Sequence, residues 1–186
     1  ILMVTATSFM FYSLQKFDLV DIYVVFFTAP LIVSLLSAYF LKDILSTKGI
    51  LLMLLSFGSI VYSLGPSMRI FSLDLIFPIV PPICWALYQF FTKVVSGDND
   101  PFAAIFYTSI LGAIIFSIFI FFNWVPLEKN IFWLYLVILG VAGFVSHSLI
   151  IYAIQLSNLS FVTNFQYSQL VWSTIINFLI FGVPFD

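Results

Sequence analysis

Charge is the scarcest property of this sequence. Six basic and eight acidic residues make up 8% of 186 positions, against roughly a quarter in an ordinary soluble domain. A water-soluble helical fold needs charged outer faces on its helices. Here the charges are confined to clusters: Lys16 with Asp18 and Asp21, Lys42 with Asp43 and Lys48, Arg69 with Asp74, Lys93 with Asp98 and Asp100, Glu128 with Lys129, and Asp186 at the end. A net charge of −2 leaves no basic patch for a nucleic acid. Cys84 is the single cysteine, which excludes a disulfide within the chain. His147 is the single histidine, and alone it cannot build a metal site, which wants several ligands together. A hydrolase acting inside a membrane needs paired carboxylates, a metal cluster or a nucleophile with its base. One histidine, one cysteine and one loop glutamate at unsuitable spacing argue against an enzyme, and no cofactor is expected.

What is present is apolar. Hydrophobic residues make up 63% of the chain, and between the charge clusters lie runs of about 17 to 25 mostly apolar residues, the length that crosses a roughly 30 Å hydrocarbon core. The fold class expected is an all-α polytopic membrane protein. Seven spans are read, at 1–17, 22–41, 48–65, 75–95, 102–122, 131–154 and 160–182. Short links, several punctuated as in Gly97-Asp98-Asn99-Asp100-Pro101, make sequence neighbours antiparallel neighbours. Pro30, inside the second span, reads either as a kink beside a substrate path or as a packing bend. Pro78 reads as a helix start, and Lys93, ending the fourth span, as a cation snorkelling to the headgroups. Orientation is not legible: Lys42, Lys48 and Lys93 on one side face Lys16, Arg69 and Lys129 on the other.

A repeat runs through the polar residues. Ser8, Tyr12 and Gln15 sit at helical spacing, and Ser148, Tyr152 and Gln155 repeat them 140 positions later. At the same offset Leu19 meets Leu159, Phe27 meets Tyr167, Thr28 meets Ser168 and Ser34 meets Thr174. Strict identity is low, so chance similarity between apolar helices is the competing explanation. Yet each polar group within a membrane must find a partner, so coincident polar positions carry weight. A membrane protein built from two copies of one unit is a common transporter plan, with its site at the repeat interface.

The candidate site residues are chosen by polarity within the spans. In the last span Thr163, Gln166, Tyr167, Ser173, Thr174 and Asn177 share one face of a 3.6-residue helix, a stripe that faces either a wet cavity or neighbouring helices. Gln166, Tyr167, Ser173 and Asn177 are the leading substrate-binding candidates. Trp85, Tyr88, Tyr107 and His147 join them, and Gln89 offers a further donor beside Tyr88. His147 reads either as a proton carrier or as a hydrogen-bond partner of a neighbouring helix. Ser8, Tyr12 and Gln15 with their echoes read as helix-to-helix contacts.

Phe27-Thr28-Ala29-Pro30-Leu31-Ile32 through Lys42-Asp43, followed by Lys48-Gly49-Ile50 and Gly58, resembles the first repeat of the drug/metabolite transporter superfamily, EamA type. Phe165-Gln166-Tyr167-Ser168-Gln169-Leu170-Val171-Trp172, then Phe181-Gly182-Val183-Pro184, resembles its second. Within that superfamily the second run is similar to bacterial carriers for S-adenosylmethionine or riboflavin. Val183 stands where the family has an acidic residue, Asp43 where Glu is more typical, and Asn164 where Pro is frequent. The resemblance implies ten helices in two inverted five-helix repeats, of which seven are seen. Residues 1–65 would be helices 3–5 of the first repeat and 75–186 helices 1–4 of the second, with two helices ahead of Ile1 and one beyond Asp186. It implies an alternating-access carrier of a small organic metabolite in a bacterial inner membrane. Its partners would be that small molecule and the lipid bilayer, with a second copy of the chain as a candidate partner. The alternative is a non-transporting membrane scaffold or assembly subunit.

Overall fold

The computed structural model describes residues 1–17, 19–43, 47–64, 76–95, 101–127 and 129–182. Among them there is no strand. The helices are α1 (Leu2–Ser13), α2 (Leu19–Phe26), α3 (Ala29–Leu36, continued by a π-helical turn Ser37–Leu41), α4 (Thr47–Leu64), α5 (Ile76–Val95), α6 (Pro101–Phe122), α7 (Asn130–Leu156), α8 (Leu159–Asn164), a 3₁₀ turn Phe165–Tyr167, and α9 (Ser168–Phe181). Each expected span has its helix, and the second and the last are broken. The links at 65–75 and 96–100 lie outside the described residues, as does Asp18.

The first break has a local cause. Pro30 is buried in the first turn of α3. A proline lacks the N–H that would bond the carbonyl four residues back, and its ring crowds that carbonyl, here that of Phe26, where α2 ends. Thr28 tightens the break: its amide bonds the Val25 carbonyl at 3.0 Å and its hydroxyl donates to the same oxygen at 2.6 Å. The last span breaks without a proline, through the 3₁₀ turn, and Ser168 donates its hydroxyl to the Phe165 carbonyl at 2.7 Å. Thr28 with Val25 and Ser168 with Phe165 are the same pair, 140 positions apart. The two segments also stop alike. Lys42 (φ 56°) ends the π-helical turn and Gly182 (φ 65°) ends α9, both left-handed and again 140 apart.

Helix α5 is the hub, touching α1, α2, α3, α7 and α8. Pro78 lies in its first turn, where an N–H has no intrahelical partner in any case, so the helix-start reading holds. Pro81 and Pro82 each remove a ladder bond and are buried against their neighbours. One apolar cluster joins Val33, Ala86, Phe90, Ile154 and Leu159 from α3, α5, α7 and α8; a second joins Phe27, Met53 and Tyr167. Of the described helices, α6 and α7 are long and apolar enough to cross a membrane. Their faces are almost wholly exposed, as suits helices solvated by lipid tails. Trp124 and Trp133 pair at 6.2 Å where α6 turns into α7, the place for aromatic residues at a membrane boundary.

Lys93 finds partners within the bundle: its Nζ donates to the carbonyls of Ile154 and Ser157, at 2.8 Å each, and approaches that of Gln155 at 3.4 Å. The last carbonyls of α7 have no helical partner and carry the negative end of the helix dipole, so they attract the ammonium. The polar stripe of the last span passes through the 3₁₀ turn at Phe165–Tyr167. Thr163 and Tyr167 are buried and Ser173 is exposed, while the side chains of Thr174 and Asn177 lie outside the described residues.

Candidate functional site

The polar interior is organised around one turn of α5. Tyr88 is buried, its hydroxyl 2.8 Å from His147 Nε2 on α7, and the two rings stack with centroids 5.5 Å apart. Trp85, one turn earlier, lies 6.3 Å from the His147 ring and 5.7 Å from that of Tyr88. The structure thus brings together Trp85, Tyr88 and His147, three of the sequence candidates. The Thr108 side chain of α6 is a further neighbour of the Tyr88 hydroxyl.

Gln89, the next residue, turns toward the last span. It is fully buried, and its Oε1 accepts from Gln166 Nε2 at 3.0 Å. Among the described residues its own Nε2 has no partner; nor do the buried Ser34 Oγ, Ser160 Oγ and Asn164 Oδ1. These orphans lie on α3, α5 and α8, helices that pack on one another. An unpartnered buried polar group costs about 1–3 kcal/mol, so this junction holds polarity that the described side chains leave unmatched.

Tyr167, the residue after Gln166, turns toward Phe27. Its ring stacks on Phe27 at 5.9 Å and its hydroxyl donates to the Phe27 carbonyl at 3.1 Å. That carbonyl lies in the break between α2 and α3, so the two broken helices touch at their discontinuities, through two residues that are 140 positions apart.

A second meeting of positions 140 apart occurs across a cavity of about 170 Å³ between α1, α6 and α7, lined among others by Thr7, Thr108, Ser109, Gly112, Phe116 and His147. Thr7 is the counterpart of His147. The candidates not drawn in are Tyr107, exposed on α6 with its ring edge-on to Phe106, and Ser173, exposed on α9. The side chain of Asn177 lies outside the described residues. Tyr12 and Tyr152 each meet a phenylalanine, Phe77 at 4.6 Å and Phe102 at 5.9 Å, as expected of helix contacts. Gln89 and Thr7 are within reach of sequence reasoning. Gln89 follows Tyr88, and Thr7 stands at the repeat offset from His147. Gly112 and Ser109 carry no such signal. Among the described residues no cluster of His, Cys, Asp or Glu could hold a metal.

Comparison with known families is decisive on class. The model of the EamA-like transporter family matches residues 73–186, well over half of the chain. The chain belongs to the EamA-like transporter family. No curated protein and no solved structure matches it. Members of the EamA-like family are integral membrane proteins that transport small molecules rather than enzymes, so a membrane scaffold is the less favoured reading. The matched region holds α5 to α9, and with them Tyr88, Gln89, His147, Gln166 and Tyr167. Thr7 and Phe27, the repeat counterparts of His147 and Tyr167, lie ahead of it.

Proposed function

We propose that this chain acts as an alternating-access carrier of a small organic metabolite in a bacterial inner membrane, built from two inverted related units within 1–65 and 75–186. One observation carries the reading: the two broken helices meet at equivalent positions, Phe27 and Tyr167. Carriers built on inverted repeats bind substrate near the midplane at the repeat interface, where helices are discontinuous and their freed backbone groups line a cavity. Broken helices that pack on each other also give the bundle a seam along which the units can rock. The Gln89–Gln166 amide pair and the Trp85–Tyr88–His147 cluster flank that seam, and their place inside the bundle supports a role in the passage.

The test is transport of a labelled metabolite panel in vesicles containing the full chain. Saturable movement of one compound, reduced at least tenfold by Gln166→Ala with unchanged membrane abundance, is the expected result. Failure of every compound to move, with the protein verified in the bilayer, would count against the carrier.

A further inference from the structure

The cavity between α1, α6 and α7 is lined by the hydroxyls of Thr7, Thr108 and Ser109, the His147 ring and apolar wall. Thr7 donates its hydroxyl to the Met3 carbonyl at 2.9 Å. Thr108 shares its hydroxyl hydrogen between the carbonyls of Ala104, at 2.7 Å, and Ile105, at 3.0 Å. Both hydrogens are therefore committed to backbone, and what each hydroxyl still offers is lone pairs. His147 meets Tyr88 through Nε2. No lysine, arginine, aspartate or glutamate is among the described residues lining the cavity, while Phe116 and Ala113 supply apolar wall. An ion placed here would find no counter-charge among these residues, which is costly in a membrane interior. Size narrows the class further: a dry cavity of about 150 Å³ takes benzene, and this one measures about 170 Å³. S-Adenosylmethionine and riboflavin are far larger.

We propose that this cavity binds an uncharged molecule about the size of a six-membered ring, which donates O–H or N–H groups to the Thr7 and Thr108 oxygens. That this molecule represents the transported class rests on the carrier reading; the binding itself does not. Repeat-equivalent positions 7 and 147 both face the cavity, so it lies between the two units, where a carrier's site is expected.

The single histidine makes the test specific. The full chain is labelled with ¹⁵N-histidine in lipid nanodiscs, and the His147 ring signals are monitored on adding four molecules of like shape: cyclohexanol, cyclohexanone, cyclohexylammonium and cyclohexanecarboxylate. Cyclohexanol is expected to shift them saturably and to bind about fivefold more tightly than cyclohexanone, the worth of one donated hydrogen bond. The two ions should give no saturable shift. Gly112→Leu provides a control, because a Cβ at Gly112 meets nothing within 4 Å and the larger side chain can fill the space. It should abolish the cyclohexanol response while leaving the thermal midpoint near that of the unsubstituted chain. Cyclohexanone binding as well as cyclohexanol, saturation by either ion, silence toward all four, or a response that survives Gly112→Leu would each overturn the proposal. Saturable cyclohexanol binding in a protein that transports nothing would keep the site and overturn the carrier. Transport of a charged metabolite by a protein silent toward cyclohexanol would do the reverse.

Discussion

The hydrogen bond between Tyr167 and Phe27 cannot be made in mirror image, and this has a measurable consequence. If the two units exchange conformations during transport, position 27 takes the place of position 167. Phenylalanine has no hydroxyl to donate, so the observed state holds one buried bond, 3.1 Å long, that its counterpart lacks. A buried hydrogen bond contributes about 1 kcal/mol net, and this corresponds to about a fivefold bias between two states. Tyr167→Phe keeps the ring stack at 5.9 Å and removes the bias. The double variant Phe27→Tyr/Tyr167→Phe supplies the mirrored donor and reverses it, for a total change of about 25-fold, two successive steps of about 1 kcal/mol. The assay places a cysteine at Thr7, on the cavity wall, in a Cys84→Ala background. Labelling by an impermeant thiol reagent is then timed from each side of oriented vesicles. The ratio of the two rates should move about fivefold with Tyr167→Phe and onward in the same direction with the double variant. A ratio unmoved by Tyr167→Phe, or restored by the double variant, would refute the exchange argument.

Other expectations concern stability. Lys93→Met uncaps α7 by removing charge-assisted bonds to its last carbonyls, and should cost about 2 kcal/mol, read as a lower unfolding midpoint in detergent. Lys42 occupies a left-handed conformation (φ 56°), so Lys42→Gly should stabilise by about 0.5–1 kcal/mol, whereas Gly182→Ala at φ 65° should destabilise by about 1 kcal/mol. Unfolding in denaturant distinguishes the two signs. A double-mutant cycle of Gln89→Leu and Gln166→Leu should return a coupling of about 0.6–1 kcal/mol; a value near zero would show that the amides do not support each other.

Legibility differs among these residues for physical reasons. The apolar runs mark every helix, because burial of backbone polar groups in a bilayer leaves a chain segment little choice but to coil. The echo of Thr28 in Ser168 and of Phe27 in Tyr167 falls on the two breaks, since a back-bonding hydroxyl and a bulky ring are local features. The prolines are half legible. Pro78 behaves as a helix start, but Pro30 acts on the carbonyl of Phe26, so the break precedes it. Lys93 escapes a reading by pattern because its partner, the end of α7, lies about 60 residues on, beyond what a pattern of hydrophobicity reports. In the stripe from Thr163 to Asn177 the pattern gives a shared face but not which of its members packing covers: Thr163 is buried and Ser173 exposed.

The sequence by itself determined where the helices form, that they are lipid-compatible, and that polar residues recur at an offset of 140. Those properties arise from composition and period, which act locally along the chain. Only the tertiary structure decided which polar residues meet: that Tyr88 finds His147, that Gln89 rather than Tyr107 faces the interior, and that Thr7 and His147 share a cavity. A helix can present any face to its neighbours until packing sets its rotation. Adjacent positions such as Tyr88 and Gln89, or Gln166 and Tyr167, differ by about 100°, so a small rotation exchanges one partner for another.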